Sequence, residues 1–236
     1  MKLLRSLKGV PARQQRLERY LQKELQELFG RASQEALREL KRRNKIPADT
    51  DLSGIIQSLR NIETEVQELA AETGTESARY GRNRTLVNLQ KPITGFSQSA
   101  ERILRERIFE ASHRTMERII GDVMESLARS TGEGLGIRDI AERLEEHFDG
   151  LKTWEAERIA RTEVVGSQNM GAYDTMSEYG VEYEQWWTAK DDRVRDYHVD
   201  LHGQIVRLGD TFSNGLHYPG DRSGPIEEWI NCRCSV

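Results

Sequence analysis

"EYEQWWTAKDDRVRDYHVDLHGQIVRL", residues 182–208, is the stretch on which the fold turns. "EYEQWWTA" alternates large aromatic and polar side chains, the pattern of a strand with one covered face. "GQIVRL" follows a turn at His202–Gly203 and reads as a second strand. Everything before Gly180 has the three-to-four-residue rhythm of helices instead. The expected class is therefore α+β: a long helical N-terminal arm over residues 1–150, then a small α+β module with short β-strands over residues 151–236.

Upstream, Leu17, Leu21, Leu25, Leu28, Ala32, Ala36 and Leu40 form one apolar stripe of a helix over roughly 11–45. Pro47 in "NKIPADTD" stops it, because the residue before a proline is biased out of the helical region. Leu52, Ile55, Leu59, Ile62, Val66 and Leu69 mark a second helix over 51–72. "ETGTESARYGRNR" has two glycines and almost nothing to bury, which predicts an irregular connection. Helices over 97–130 and 137–148 follow, separated by "TGEGLG", whose three glycines each cost about 1 kcal/mol inside a helix. "DGLKT" reads as a turn, with Thr153 as the N-cap of a helix that ends at Gly180.

Composition narrows the function classes. With 36% hydrophobic and 31% charged residues the core is lean for 236 residues, as in long helices with wet surfaces. No apolar run approaches the roughly 18 residues of a membrane span, so no membrane association is expected. Two cysteines make no disulfide framework and suit a reducing cytosol. The net charge of −4 hides a gradient. Residues 1–45 hold thirteen bases and five acids, a balance of +8 that leaves −12 for the rest. Such a front can solvate a helix face or attract nucleic acid or an acidic protein surface; Arg13, Arg16, Arg19, Lys41, Arg42, Arg43 and Lys45 are the candidate contacts.

Four clusters in the second half can carry chemistry. In "IARTE", Arg161 and Glu163 are two apart on a helix, so each must find its own partner, in a structural network or around a ligand. His198 and His202 stand four apart amid Asp191, Asp192, Asp196 and Asp200, but without the glutamate of a zinc hydrolase motif. "HYPGD", residues 217–221, is a turn. The terminal "NCRC" holds Cys232 and Cys234, whose side chains share a face if the segment is extended. They can pack as small buried residues, form a strained disulfide, or join His198 and His217 around a metal, for which zinc is the candidate cofactor.

In order, "IARTE", "WTAKDDRVRDYHVDLHGQ", "HYPGD" and "INCRC" resemble the phage Mu F-like head morphogenesis family, the minor capsid proteins of tailed bacteriophages. The resemblance covers about residues 98–236. The motif residues it carries over are Arg161, Glu163, Asp192, Arg195, His198, Gly203, Asn231, Cys232 and Cys234. It implies a low-copy, non-enzymatic virion component that meets the portal protein and other procapsid components during assembly, and packaged DNA through the basic front. The helical arm, read as three long stripes with few buried residues, is expected to stay open until a virion partner covers it. The competing reading is a metal-dependent nuclease using Asp192, His198 and His202, or a transferase using Arg161 and Glu163.

Overall fold

A computed structural model describes residues 12–42 and 53–236. Its helices are α1 (Ala12–Lys41), α2 (Ser53–Asn88), α3 (Gln98–Gly132), α4 (Ile137–Gly150), α5 (Ala156–Glu178), α6 (Asp196–Val199) and α7 (Ile226–Trp229). The strands are β1 (Tyr183–Gln185) and β2 (Ile205–Arg207). The fold is thus mostly helical with one small antiparallel sheet, pairing Tyr183 with Arg207, Glu184 with Val206 and Gln185 with Ile205. No described helix is long and apolar enough to cross a membrane.

The described residues fall into two compact units, and α1, α2 and α3 each contribute to both. One unit, residues 21–71 and 106–157, is an antiparallel helical bundle. Arg31 pairs with Glu65 and Asn61 donates to Glu35 across α1 and α2. Arg60 pairs with Glu117, and His113 with Glu63, across α2 and α3. The apolar stripes lie inside: Leu21, Leu25, Ala32, Ala36, Leu40, Ile55, Leu59, Ile119 and Val123 are all fully buried. This corrects the expectation of an open arm. The stripes of successive helices satisfy one another, so no outside subunit is needed to cover them.

Two local expectations are also corrected. The predicted turn at "DGLKT" is helical: a π-helical turn, Leu151–Glu155, joins α4 to α5. Thr153 caps nothing there and returns its hydroxyl to the Asp149 carbonyl at 2.7 Å. The wider turn puts Leu151 and Glu155 inside together, and Arg118 pairs with the buried Glu155 carboxylate.

The second correction lies in the other unit, residues 12–20, 72–105 and 158–236. Here "ETGTESARYGRNR" continues α2 instead of connecting it to the next element. Its small residues permit a backbone-to-backbone approach to α5. A Cβ on Gly81 would lie 2.0 Å from the Gln168 carbonyl oxygen, and one on Gly171 would lie 2.2 Å from that of Ala78. Ser77 Oγ donates to the Val164 carbonyl at 2.7 Å. Buried Arg82 then binds the Thr94 carbonyl and both Glu178 carboxylate oxygens, holding the chain after α2 against the end of α5. The glycine penalty is offset by contacts that larger residues would forbid.

Gly171→Ala is expected to destabilise the protein by about 1–3 kcal/mol, since backbone must move to admit the methyl group. Gly121→Ala, in α3 with open space at its Cβ position, should instead stabilise by up to about 1 kcal/mol. Urea unfolding of both variants checks the opposite signs.

Candidate functional site: a histidine–cysteine knot

The helix α5 ends in a Schellman turn: Val181 N–H reaches the Met176 carbonyl at 2.9 Å, with Gly180 at φ +65°. The chain then enters β1. Pairing with the returning strand continues past it, since Trp186 N–H donates to the Gln204 carbonyl and Gly203 N–H to that of Trp186. Gly203 has φ +84°, the left-handed conformation that this tight return requires. Trp187 exchanges two backbone hydrogen bonds with Ser235, at 2.7 and 2.8 Å. The end of the chain is thereby laid beside the strand that leaves the sheet.

Residues 230–235 form no regular element, so other groups must satisfy their backbone. Asn169, buried in α5, donates from Nδ2 to the carbonyls of Pro219 and Cys234, both at 2.9 Å. Arg195 donates to the Ile230 carbonyl. Asn231, at φ +54°, donates its N–H to Thr162 Oγ1 at 2.8 Å and accepts from Arg161 Nη1 at 2.9 Å. Arg233 pairs with Asp191 at 2.7 Å.

This held segment places Cys232 and Cys234 against His198 of α6, and all three are at least 98% buried. His198 Nδ1 lies 3.8 Å from Cys232 Sγ and 3.6 Å from Cys234 Sγ. The other ring nitrogen, Nε2, is 3.1 Å from Glu228 Oε2 of α7, an oxygen that also accepts from Asn214 at 3.0 Å. Trp186 and Tyr197 meet the imidazole edge-on, with centroids at 5.5 and 5.0 Å. Trp186, Leu201, Phe212 and Leu216 close the surrounding core. The Cys234 thiol and then the His198 ring hold Cys232 well below the usual thiol range. Hydrogen bonding to Cys232, and then burial, push Cys234 up.

Both cysteines are free thiols. The structure brings together three of the four expected metal ligands. One potential ligand atom from each of His198, Cys232 and Cys234 lies within 4.8 Å of the others, whereas His217 is absent from that group. The His217 ring faces the Asp210 carbonyl at 3.3 Å and Tyr173, and the His217 backbone N–H donates to Asp221 Oδ2 at 3.0 Å. His198 and His202 do not share a helix, since α6 ends at Val199. His202 Nδ1 instead accepts from the Thr188 N–H at 3.1 Å. Arg161 and Glu163 do take separate partners, as their spacing predicts: Arg161 binds Asn231 and Glu163 pairs with Arg222 at 2.6 Å. Asp192 is exposed. Asn169, Thr162 and Glu228 are not among the expected site residues, and nothing local marks them: Asn169 follows Ser167 and Gln168 in a polar stretch of α5.

Among the basic front residues, Arg13 pairs with Glu76 and lies over Tyr80, and Arg42 is 3.8 Å from Glu39. Arg19 donates to the Gln15 carbonyl, while Arg16 and Lys41 are exposed. Arg43 and Lys45 lie outside the described residues.

Residues 121–236 match the model of the family described as Phage Mu protein F like protein. No curated protein and no solved structure matches the chain.

Glu184 of β1 is 3% exposed and neither carboxylate oxygen has a hydrogen-bond partner; burial pushes its pKa up to about 8, from an ordinary 4.5. The folded chain therefore holds a proton that the unfolded chain releases, so stability should fall as pH rises from about 4.5 to about 8. The slope reaches about 1.4 kcal/mol per pH unit at most. Glu184→Gln is expected to flatten that fall and to exceed the parent's stability at pH 9. Urea unfolding at pH 5, 7 and 9 measures both. Asn169→Ala should cost about 2 kcal/mol in the same assay, because two buried carbonyls lose their donor.

Proposed function

The chain is a Mu F-like protein, and from that premise we propose that it is a non-enzymatic structural component of a phage head, present in few copies and joining the portal vertex during procapsid assembly. Membership points to phage head morphogenesis. The finer assignment rests on how the motif residues are used. Arg161, Arg195 and Asn231 bind the module's own backbone or each other. Glu163 is held by Arg222, and His198 is buried with both ring nitrogens engaged. Side chains committed in this way build a rigid module. An enzyme would keep some of them facing a cleft where substrate enters.

In this reading the knot supplies a fixed surface for other procapsid components. The basic front is the segment that meets packaged DNA or an acidic face of the portal. Arg13, Arg16, Arg19, Lys41 and Arg42 are described bases of that segment available for it, all being exposed. The protein then resides in the virion, in the head interior or at the portal vertex.

Co-expressed with the portal and other head proteins of its phage, the tagged chain is expected to co-sediment with procapsids; a chain that stays in the soluble fraction while procapsids form overturns the reading. Plasmid incubated with the purified protein and Mg²⁺, Mn²⁺ or Zn²⁺ should remain intact, and cutting that His198→Ala abolishes would favour a nuclease. If DNA is a partner, a mobility shift should weaken steeply with salt and be lost on deleting residues 1–45.

A further inference from the structure

We propose that His198, Cys232 and Cys234 form a structural zinc centre that clamps the end of the chain onto α6, with Glu228 as the positioning residue behind the histidine. The donor spacing carries the argument. Zinc bound at about 2.0–2.1 Å to nitrogen and about 2.3 Å to sulfur gives a tetrahedron whose N···S edges are about 3.6 Å. The edges from His198 Nδ1 to the two sulfurs are 3.6 and 3.8 Å, so the side chains already stand where a metal would hold them.

The chemistry of the set selects the ion. Two thiolates and an imidazole suit a borderline-soft cation, and magnesium or calcium would require oxygen donors. The outer shell fits as well. A metal-bound histidine characteristically donates its second N–H to a carboxylate, which fixes the tautomer and turns the ring. Glu228 accepts from Nε2–H at 3.1 Å and is itself steadied by Asn214 at 3.0 Å, which leaves the Nδ1 lone pair, already turned toward both sulfurs, as the atom that would ligate the metal. Burial assigns the role. With all three ligands at least 98% buried, no substrate reaches the ion, so the centre is structural. Three protein donors are one fewer than the four that usually close a structural zinc site, so the fourth position has to be filled inside this buried core. The centre joins residue 198 to residues 232 and 234 across a module whose sheet has only two strands, where a cross-link adds most to stability.

The test uses the full chain purified without chelator. Elemental analysis should find about one zinc per chain. Replacement with Co²⁺ should give the visible absorption of a tetrahedral site and a sulfur-to-metal charge-transfer band. Stripping the metal should lower Tm, and added Zn²⁺ should restore it. Cys232→Ser with Cys234→Ser should abolish binding. Because that pair can fail to fold for packing reasons, Glu228→Gln serves as the milder variant, expected to stay folded while losing about 10- to 100-fold in zinc affinity by competition with a chromogenic chelator. A folded wild-type chain that carries no zinc, gives no cobalt spectrum and has the same Tm with chelator or with added zinc overturns the proposal; the three groups then form only a hydrogen-bonded thiol–imidazole cluster. Zinc retained unchanged by both variants overturns it equally, by placing the ion elsewhere.

Discussion

Residues 230–234 carry polar backbone groups into a partly buried place without a regular helix or strand to satisfy them, and the module is organised around that requirement. Asn169, Thr162, Arg161 and Arg195 each bind residues 230–234. Asn169 and Arg195 donate to backbone carbonyls, Thr162 accepts the Asn231 N–H and Arg161 holds the Asn231 side chain. A buried polar group left without a partner costs about 1–3 kcal/mol, so these anchors favour docking of the segment. Once it docks, the cysteines meet His198 and the module's small core is complete.

The anchors sit on α5 and on the turn before α6, and α5 is placed in its turn by its approach to α2. That approach depends on Gly81 and Gly171, each filling a space in which a methyl group would overlap the other helix's backbone. Gly166 repeats the device on another face, where Gly220 of the "HYPGD" turn comes so close that a Cβ on Gly220 would lie 2.6 Å from the Gly166 Cα. Packing of this kind tolerates little variation in size, and it orients α5 well enough for Asn169 to reach two separate carbonyls. Stability and site geometry are therefore consequences of the same contacts.

The protein also contains carboxylates with contrasting surroundings. Glu228 is balanced by an imidazole and an amide, and Glu163 by a guanidinium. Glu184, on the covered face of β1, has no such partner, and burial alone keeps its proton on at neutral pH. Its presence on the sheet shows that the module accepts a cost there that its knot avoids.

Much was legible in the amino-acid order. The stripe from Leu21 to Leu40, the break at "TGEGLG", the stop at Gly180 and the two short strands all follow from periodicity and glycine chemistry, which act over a few residues. The ordered motifs from "IARTE" to "INCRC" likewise pointed to the family. Tertiary structure alone decided the rest. Whether "ETGTESARYGRNR" is connection or helix depends on α5, about 90 residues away, whose backbone gives small residues something to pack against. Which histidine joins the cysteines was equally closed to inspection: spacing treats His198 and His217 alike, and only the fold turns one toward the sulfurs and the other toward Tyr173 and the Asp210 carbonyl. Local pattern sets the conformation a segment prefers, whereas a binding constellation is made by contacts between distant segments, and those form only when the helices pack.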